Sequence, residues 1–212
     1  MFKKGGGASS YGQGMERIEE RMETVYPCLT ECAAEASRVA AAVKPDRLDA
    51  ASGCGDWDVR ALVNHWVAYT GTGMEHRARR EPLPDDLGTR DFTGDPDWAD
   101  RYAQRLERAV AAWSEPAVWE GEVELGFARQ PAPEVASLLW AELVLHGWDV
   151  ARATGQEFRV SDGAAALLLS VVDKNAAMYR QYEGFADPVE LPDGAPVYAR
   201  ALALSGRDPR PL

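Results

Sequence analysis

Cysteine and histidine are scarce in this sequence, and their scarcity limits the sites that it can build. Three cysteines among 212 residues are an odd number, which argues against a disulfide framework. Cys28 and Cys32 lie four residues apart, but no second CxxC or CxxxC pair completes a cysteine-bound metal site. With Cys54, they are interpreted as structural thiols. The histidines are His65, His76 and His146.

Basic charge and long apolar runs are also lacking. Lys and Arg number 23 against 34 Asp and Glu, which gives a net charge of −11. Such a balance disfavours nucleic acid and anionic membranes as partners. No apolar run approaches the roughly 20 residues that a membrane span requires. The start MFKK runs into glycines rather than an apolar segment, so no secretory signal is recognised and the expected location is the cytoplasm.

Length and apolar periodicity predict an all-α protein with one domain. The Gly/Ser-rich residues 1–14 are interpreted as a flexible leader or a cloning remnant, and residues 15–212 as the single domain. Long helices are predicted over residues 15–43, 57–80, 97–113, 131–155 and 163–182. The other predicted elements are a short helix over 197–204, a long loop over 81–96, and an extended segment or hairpin over 118–127.

Three polar residues interrupt the apolar face of the fourth predicted helix. In WAELVLHGWDVARATG, residues 140–155, the side chains of Glu142, His146 and Asp149 lie on the stripe shared by Val135 and Val150. A carboxylate and an imidazole spaced i, i+4 lie one above the other on a helix face, and both are ligands for divalent metals. The stripe therefore predicts half of a metal site, with an interhelical hydrogen bond without metal as the alternative.

His65, on the second predicted helix, is the candidate third ligand. His76 follows eleven residues later, about 16 Å along a helix axis, and is interpreted as a surface residue. Two histidines and one carboxylate leave a coordination position open, which is typical of catalytic sites. Zinc is the first candidate, with iron, nickel and manganese as alternatives. Asp149 is expected to accept the second ring N–H of a ligand histidine, or to pair with an arginine or cap the backbone.

Two segments, GCGDWDVRALVNHW and AELVLHGWDVARATGQ, together with the closing LALSGRDP, carry a resemblance to a known family. They resemble the actinobacterial mycothiol-dependent maleylpyruvate isomerase N-terminal family within the DinB-like metal-binding superfamily. The resemblance implies a DinB-like four-helix bundle, here with an additional helix and a short extended segment before the fourth helix. It also implies a divalent metal, usually zinc, bound by His65, Glu142 and His146.

The same resemblance implies a class of reaction. The expected function is a metal-dependent enzyme that uses mycothiol or a similar low-molecular-weight thiol. The thiol would serve in S-transfer to a small electrophile or in its isomerisation. The isomerases themselves look longer, with a further C-terminal domain, so metal-assisted thiol chemistry is a safer expectation than maleylpyruvate isomerisation.

Three other functions stay open at this point. The same ligands suit a hydrolase that activates water, or a metal-binding bundle without catalysis. The third is a metal-free binding module lined by tryptophans, although such residues more often belong to the core. The tryptophans available to it are Trp57, Trp66, Trp140 and Trp148.

A monomer or a homodimer is expected. The residues considered exposed and suited to a dimer interface are Trp98, Trp113 and Trp119.

Overall fold

The computed structural model describes residues 7–126 and 128–211 and is mostly helical, which confirms the predicted fold class. The α-helices are α1 (Gly7–Ala41), α2 (Val59–Trp66), α3 (Met74–Arg79), α4 (Trp98–Trp113), α5 (Ala132–Ala153), α6 (Asp162–Gln181) and α7 (Val197–Leu204). Strands β1 (Glu122–Glu124) and β2 (Arg129–Pro131) form an antiparallel hairpin directly before α5. None of the helices in these residues combines the length and the apolar character needed to cross a membrane.

The first helix starts earlier than the sequence predicts. Residues 1–6 of the predicted leader lie outside the described residues, and residues 7–14 belong to α1. That residues 1–14 are a leader or a cloning remnant outside the domain stays a prediction. Adding residues to a formed helix costs little, and this stretch contains no proline to stop it. That residues 15–212 form a single domain stays a prediction.

The helices enclose a large apolar core. Helix α1 lies against α4 and α5, α2 lies against α5, and α6 packs on α7. The largest fully buried side chains include Trp66, Trp113, Trp119, Trp140 and Tyr102. The core therefore contains two of the four tryptophans considered for a binding module, Trp66 and Trp140.

The prediction that Trp98, Trp113 and Trp119 are exposed is wrong, because all three are buried. The indole N–H of Trp113 donates to the carbonyl of Met74 at 3.1 Å, and that of Trp119 donates to the carbonyl of Trp113 at 2.8 Å. A buried indole is stable when its N–H finds an acceptor. These rings consequently stabilise the core and offer no surface to a second chain.

Helix α2 begins at an aspartate and continues beyond Trp66 without a break. The Asp58 carboxylate accepts a hydrogen bond from the Ala61 backbone N–H at 2.7 Å, so Asp58 is the N-cap of the helix. A π-helical segment, Val67–Gly73, joins α2 to α3. The three segments form the long helix predicted over residues 57–80. Single π-helical turns often occur near functional sites, and this one directly follows the turn that carries His65.

A buried hydrogen bond fixes α2 against α5. The indole N–H of Trp66 donates to the carbonyl of Leu143 at 3.0 Å. His65 and Glu142 precede these two residues in sequence. The contact that ties the helices together is therefore one residue away from both predicted ligands.

Gly147 lies in α5 at a point where another segment approaches closely. A Cβ atom at this position would lie 2.3 Å from the ring of Phe158, which is buried between α5 and α6. The sequence therefore needs glycine directly after His146. By contrast, a Cβ at Gly163, in the first turn of α6, would meet only the Ser161 hydroxyl at 3.9 Å.

We expect Gly147→Ala to lower the free energy of unfolding by about 1–3 kcal/mol, because the added methyl group displaces a packed aromatic ring. Gly163→Ala is the matched control and is expected to leave stability unchanged or to raise it by up to about 1 kcal/mol. Urea unfolding followed by circular dichroism measures both values. Equal stability of the two variants would contradict the close packing of Phe158 on α5.

Candidate metal centre

The three predicted metal ligands come together between α2 and α5. His65 Nε2 lies 2.8 Å from Glu142 Oε1, and His146 Nε2 lies 3.2 Å from the same oxygen. The ligand atoms of the three residues all lie within 4.8 Å of one another. His76 is not part of this cluster; its Nδ1 lies 2.8 Å from the carbonyl of Pro82. The structure thus brings His65, Glu142 and His146 together, as the sequence predicts, and places His76 away from them.

The imidazole of His146 is held at both nitrogens. Its Nε2 faces Glu142, and its Nδ1 lies 3.1 Å from Asp149 Oδ2. Burial alone would lower the pKa of His146, but hydrogen bonds to Asp149, Cys54 and Glu142 outweigh it and raise that pKa well above its usual value. Two carboxylates therefore fix the ring plane and direct Nε2 toward Glu142 Oε1, the oxygen that also contacts His65.

The Glu142 carboxylate stays ionised despite its surroundings. Burial would raise the pKa of Glu142, but the hydrogen bonds and charges of His146 and His65 outweigh it and hold that pKa below its usual range. An ionised carboxylate beside two imidazoles is a strong acceptor and a good ligand for a cation.

A buried ion pair supports Asp149. Arg207 Nε lies 2.8 Å from Asp149 Oδ1, and Arg207 Nη2 lies 2.7 Å from Oδ2. Burial would raise the pKa of Asp149, but the charges and hydrogen bonds of Arg207 and His146 lower it. Asp149 combines both alternatives considered for it, because it contacts a histidine ring nitrogen and an arginine. Arg207 was missed: the motif LALSGRDP contains it, but no spacing links it to Asp149.

Aromatic rings enclose His65. The ring centroids of Trp57 and Tyr69 lie 4.9 Å and 4.7 Å from that of His65, and His146 lies at 4.9 Å in an edge-on arrangement. Trp57 is 39% exposed, so it stands at the solvent side of the cluster. Of the tryptophans considered for a binding module, Trp57 is the one that contacts the candidate ligands.

An open cleft of about 1000 Å³ adjoins the cluster. Besides the candidate ligands, its lining includes Cys54, Trp57, Tyr179, Arg180, Phe185 and Arg207. The rings of Tyr179 and Phe185 stack with centroids 4.6 Å apart. A cleft of this size, lined by apolar and polar groups, is large enough for a small-molecule ligand.

Cys54 lies close to the cluster, unlike the other two cysteines. Its sulfur groups with His146 and Asp149, with potential ligand atoms within 4.8 Å of one another. Cys28 and Cys32 are buried, as expected of structural thiols, whereas Cys54 is partly exposed and lines the cleft. The sequence could have indicated a role for Cys54, because this residue is part of the segment GCGDWDVRALVNHW that carries the family resemblance. The contact with His146 could not be read from the sequence.

The residues present fit a divalent cation. Two imidazole nitrogens and one carboxylate oxygen converge from two helices, a donor set that suits zinc, iron, nickel or manganese. The second nitrogen of His146 is held by Asp149, as is usual for a ligand histidine. Three protein ligands leave coordination positions free, and the cleft lies next to them.

The structure is a helical bundle in which histidines and a carboxylate meet beside an open cleft. It therefore falls into the class of helical proteins whose ligand or metal sites lie between facing helices. This chain belongs to the mycothiol maleylpyruvate isomerase N-terminal domain family, whose model matches residues 29–151. The family expected from the sequence is thereby confirmed. No curated protein and no solved structure matches the chain.

We expect Cys54 to be the first thiol to react with 5,5′-dithiobis(2-nitrobenzoate) in the folded protein. Burial raises the pKa of the Cys28 thiol, and burial raises that of the Cys32 thiol to about 12, so both lack thiolate and access. In a stopped-flow measurement, the native protein should release the reagent's chromophore in one fast phase that corresponds to one thiol. The unfolded protein should react at all three thiols. Cys54→Ser should remove the fast phase; its survival in that variant would contradict the assignment.

Proposed function

We propose that the chain is a metal-dependent enzyme in which His65, Glu142 and His146 bind a divalent cation. Zinc is the first candidate. The observation that carries the proposal is the convergence of three ligand atoms within 4.8 Å beside a cleft of about 1000 Å³. We also propose that the bundle is DinB-like. Its four helices would be α1, the continuous helix that runs from α2 to α3, α4 and α5, and α6 would be the additional helix. A cytoplasmic location and a monomer or homodimer stay predictions.

The cleft is proposed to bind a low-molecular-weight thiol of the mycothiol type together with a small electrophile. The family supports the thiol, since its name refers to mycothiol. The size of the cleft and its stacked aromatic wall support a small organic partner. Trp57 and Tyr69 cover the faces of His65, so an incoming ligand would reach the cluster from the cleft.

A divalent cation at this site would supply a Lewis acid that keeps a thiol deprotonated at neutral pH. The chain's own residues orient the site: Asp149 holds the His146 ring, and Glu142 keeps both Nε2 atoms directed at one point. On addition to an activated double bond, the thiolate sulfur would form a bond to the electrophilic carbon while the π electron pair moves onto the activating carbonyl as an enolate. Protonation of the enolate at carbon completes the thioether adduct, whereas return of the electron pair re-forms the double bond and expels the thiolate. Release of the adduct is S-transfer, whereas rotation about a former double bond and expulsion of the thiolate is isomerisation.

We expect the purified protein to contain a divalent metal, with zinc predominant, as measured by inductively coupled plasma mass spectrometry. His65→Ala and Glu142→Ala should lower the metal content to near zero, because each removes one of three ligands. His76→Ala is the matched control, since His76 lies outside the cluster, and it should retain the wild-type content. If the folded wild-type protein stays metal-free after supplementation, the proposal is wrong.

Turnover of a panel of small electrophiles is expected to require mycothiol and to fall to background in His146→Ala, while His76→Ala retains the wild-type rate. Loss of electrophile and formation of a thioether, followed by mass spectrometry, distinguish S-transfer from isomerisation. Metal-dependent hydrolysis of an amide or ester without any thiol would instead identify a hydrolase at the same ligands and contradict the thiol assignment.

A further inference from the structure

We propose that Arg207 is a positioning residue for this metal centre. It would hold Asp149 in the orientation that in turn fixes His146. The inference rests on the proposed function, because it assigns a role at the same ligands. It also extends the centre to the segment after α7, which lies outside the residues matched by the family model.

The contact between Arg207 and Asp149 is a two-point ion pair. The guanidinium presents Nε and Nη2 to the two carboxylate oxygens at 2.8 Å and 2.7 Å. The side chains are 13% and 8% exposed, respectively, so little water competes for either group. The planar fork of arginine fixes a carboxylate in position and rotation, which a single-point contact cannot do.

One carboxylate oxygen is common to both contacts. Asp149 Oδ2 accepts from Arg207 Nη2 at 2.7 Å and lies 3.1 Å from His146 Nδ1. Any rotation of the carboxylate away from Arg207 would therefore also break its contact with the imidazole. Without Arg207, Asp149 would be a buried charge without its guanidinium partner, and the two-point contact that fixes the rotation of its carboxylate toward His146 would be lost.

Arg207 is itself held by the turn that ends α7. Its Nη1 donates to the Ser205 hydroxyl at 3.0 Å, and its backbone N–H donates to the carbonyl of Leu202 at 3.0 Å. Gly206 has a φ of +84°, and a Cβ there would lie 2.8 Å from the carbonyl oxygen of Ala186. Glycine is needed for both reasons. The backbone thus determines where the guanidinium points before any ligand binds.

The test measures Zn²⁺ affinity by competition with a chromophoric chelator in the full-length chain. Arg207→Ala is expected to weaken binding by about 10-fold to 100-fold, the usual effect of losing an outer partner of a ligand histidine. If Arg207 acts through Asp149, the double variant Asp149→Ala/Arg207→Ala should bind no more weakly than Asp149→Ala alone. Arg210→Ala is the matched control, because Arg210 pairs with the exposed Asp208; its affinity should equal that of the wild type.

The absorption spectrum of the Co²⁺-substituted protein reports the geometry of the metal ligands. A residue that only stabilised the fold would not change this spectrum. We expect Arg207→Ala and Asp149→Ala to change the ligand-field bands in the same way, and Arg210→Ala to leave them unchanged. If Arg207→Ala alone fails to fold, the double variant is compared with Asp149→Ala instead, because the double variant removes both members of the Asp149–Arg207 pair.

Three outcomes separate the inference from the proposed function. Wild-type affinity in Arg207→Ala overturns the positioning role and leaves the metal centre standing. Additive losses in the double variant also overturn it, because Arg207 would then act independently of Asp149. A wild-type protein that binds neither Zn²⁺ nor Co²⁺ overturns the metal centre and the role of Arg207 together.

Discussion

A single carboxylate oxygen sets the distance between the two central helices. Oε1 of Glu142, on α5, lies within hydrogen-bonding distance of His65 on α2 and of His146 one turn further along α5. Helix α2 therefore cannot slide or rotate against α5 without losing the contact with His65. The bond from Trp66 to the Leu143 carbonyl secures the same approach from the core side. Helices α1 and α6 also pack against α5, and the cleft opens between this pair of helices, the loop before α2 and the segments that follow α6 and α7.

The parts of this arrangement that follow from local periodicity were predictable from the sequence. Glu142 and His146 stand out because polar side chains occur where a helical repeat demands apolar ones. His65 follows from the scarcity of histidine and from its place beside the core face of the second helix. The helices after residue 15 were likewise predicted, because apolar repeats, prolines and glycines act over a few residues. The extended segment predicted over 118–127 contains β1, whereas β2 lies beyond it at Arg129–Pro131.

Contacts between distant segments were not predictable in the same way. Nothing in the spacing pairs Asp149 with Arg207 or places Cys54 beside His146, since these contacts depend on how the segment after α7 and the loop before α2 pack against α5. The burial of Trp98, Trp113 and Trp119 was also missed. For Trp113 the reason is related, because the carbonyl that accepts from its indole belongs to Met74, 39 residues away. The π-helical turn had no sequence signal that a helical repeat could reveal.

The cluster is assembled from positions far apart along the chain. His65 and Glu142 are 77 residues apart, and Asp149 and Arg207 are 58 apart. An unfolded chain cannot hold such groups together, because closing long loops costs entropy. Any ion or small molecule that engages the whole cluster would bind the native state alone and draw the folding equilibrium toward it by mass action. The amount of folded protein would then follow the concentration of that ligand.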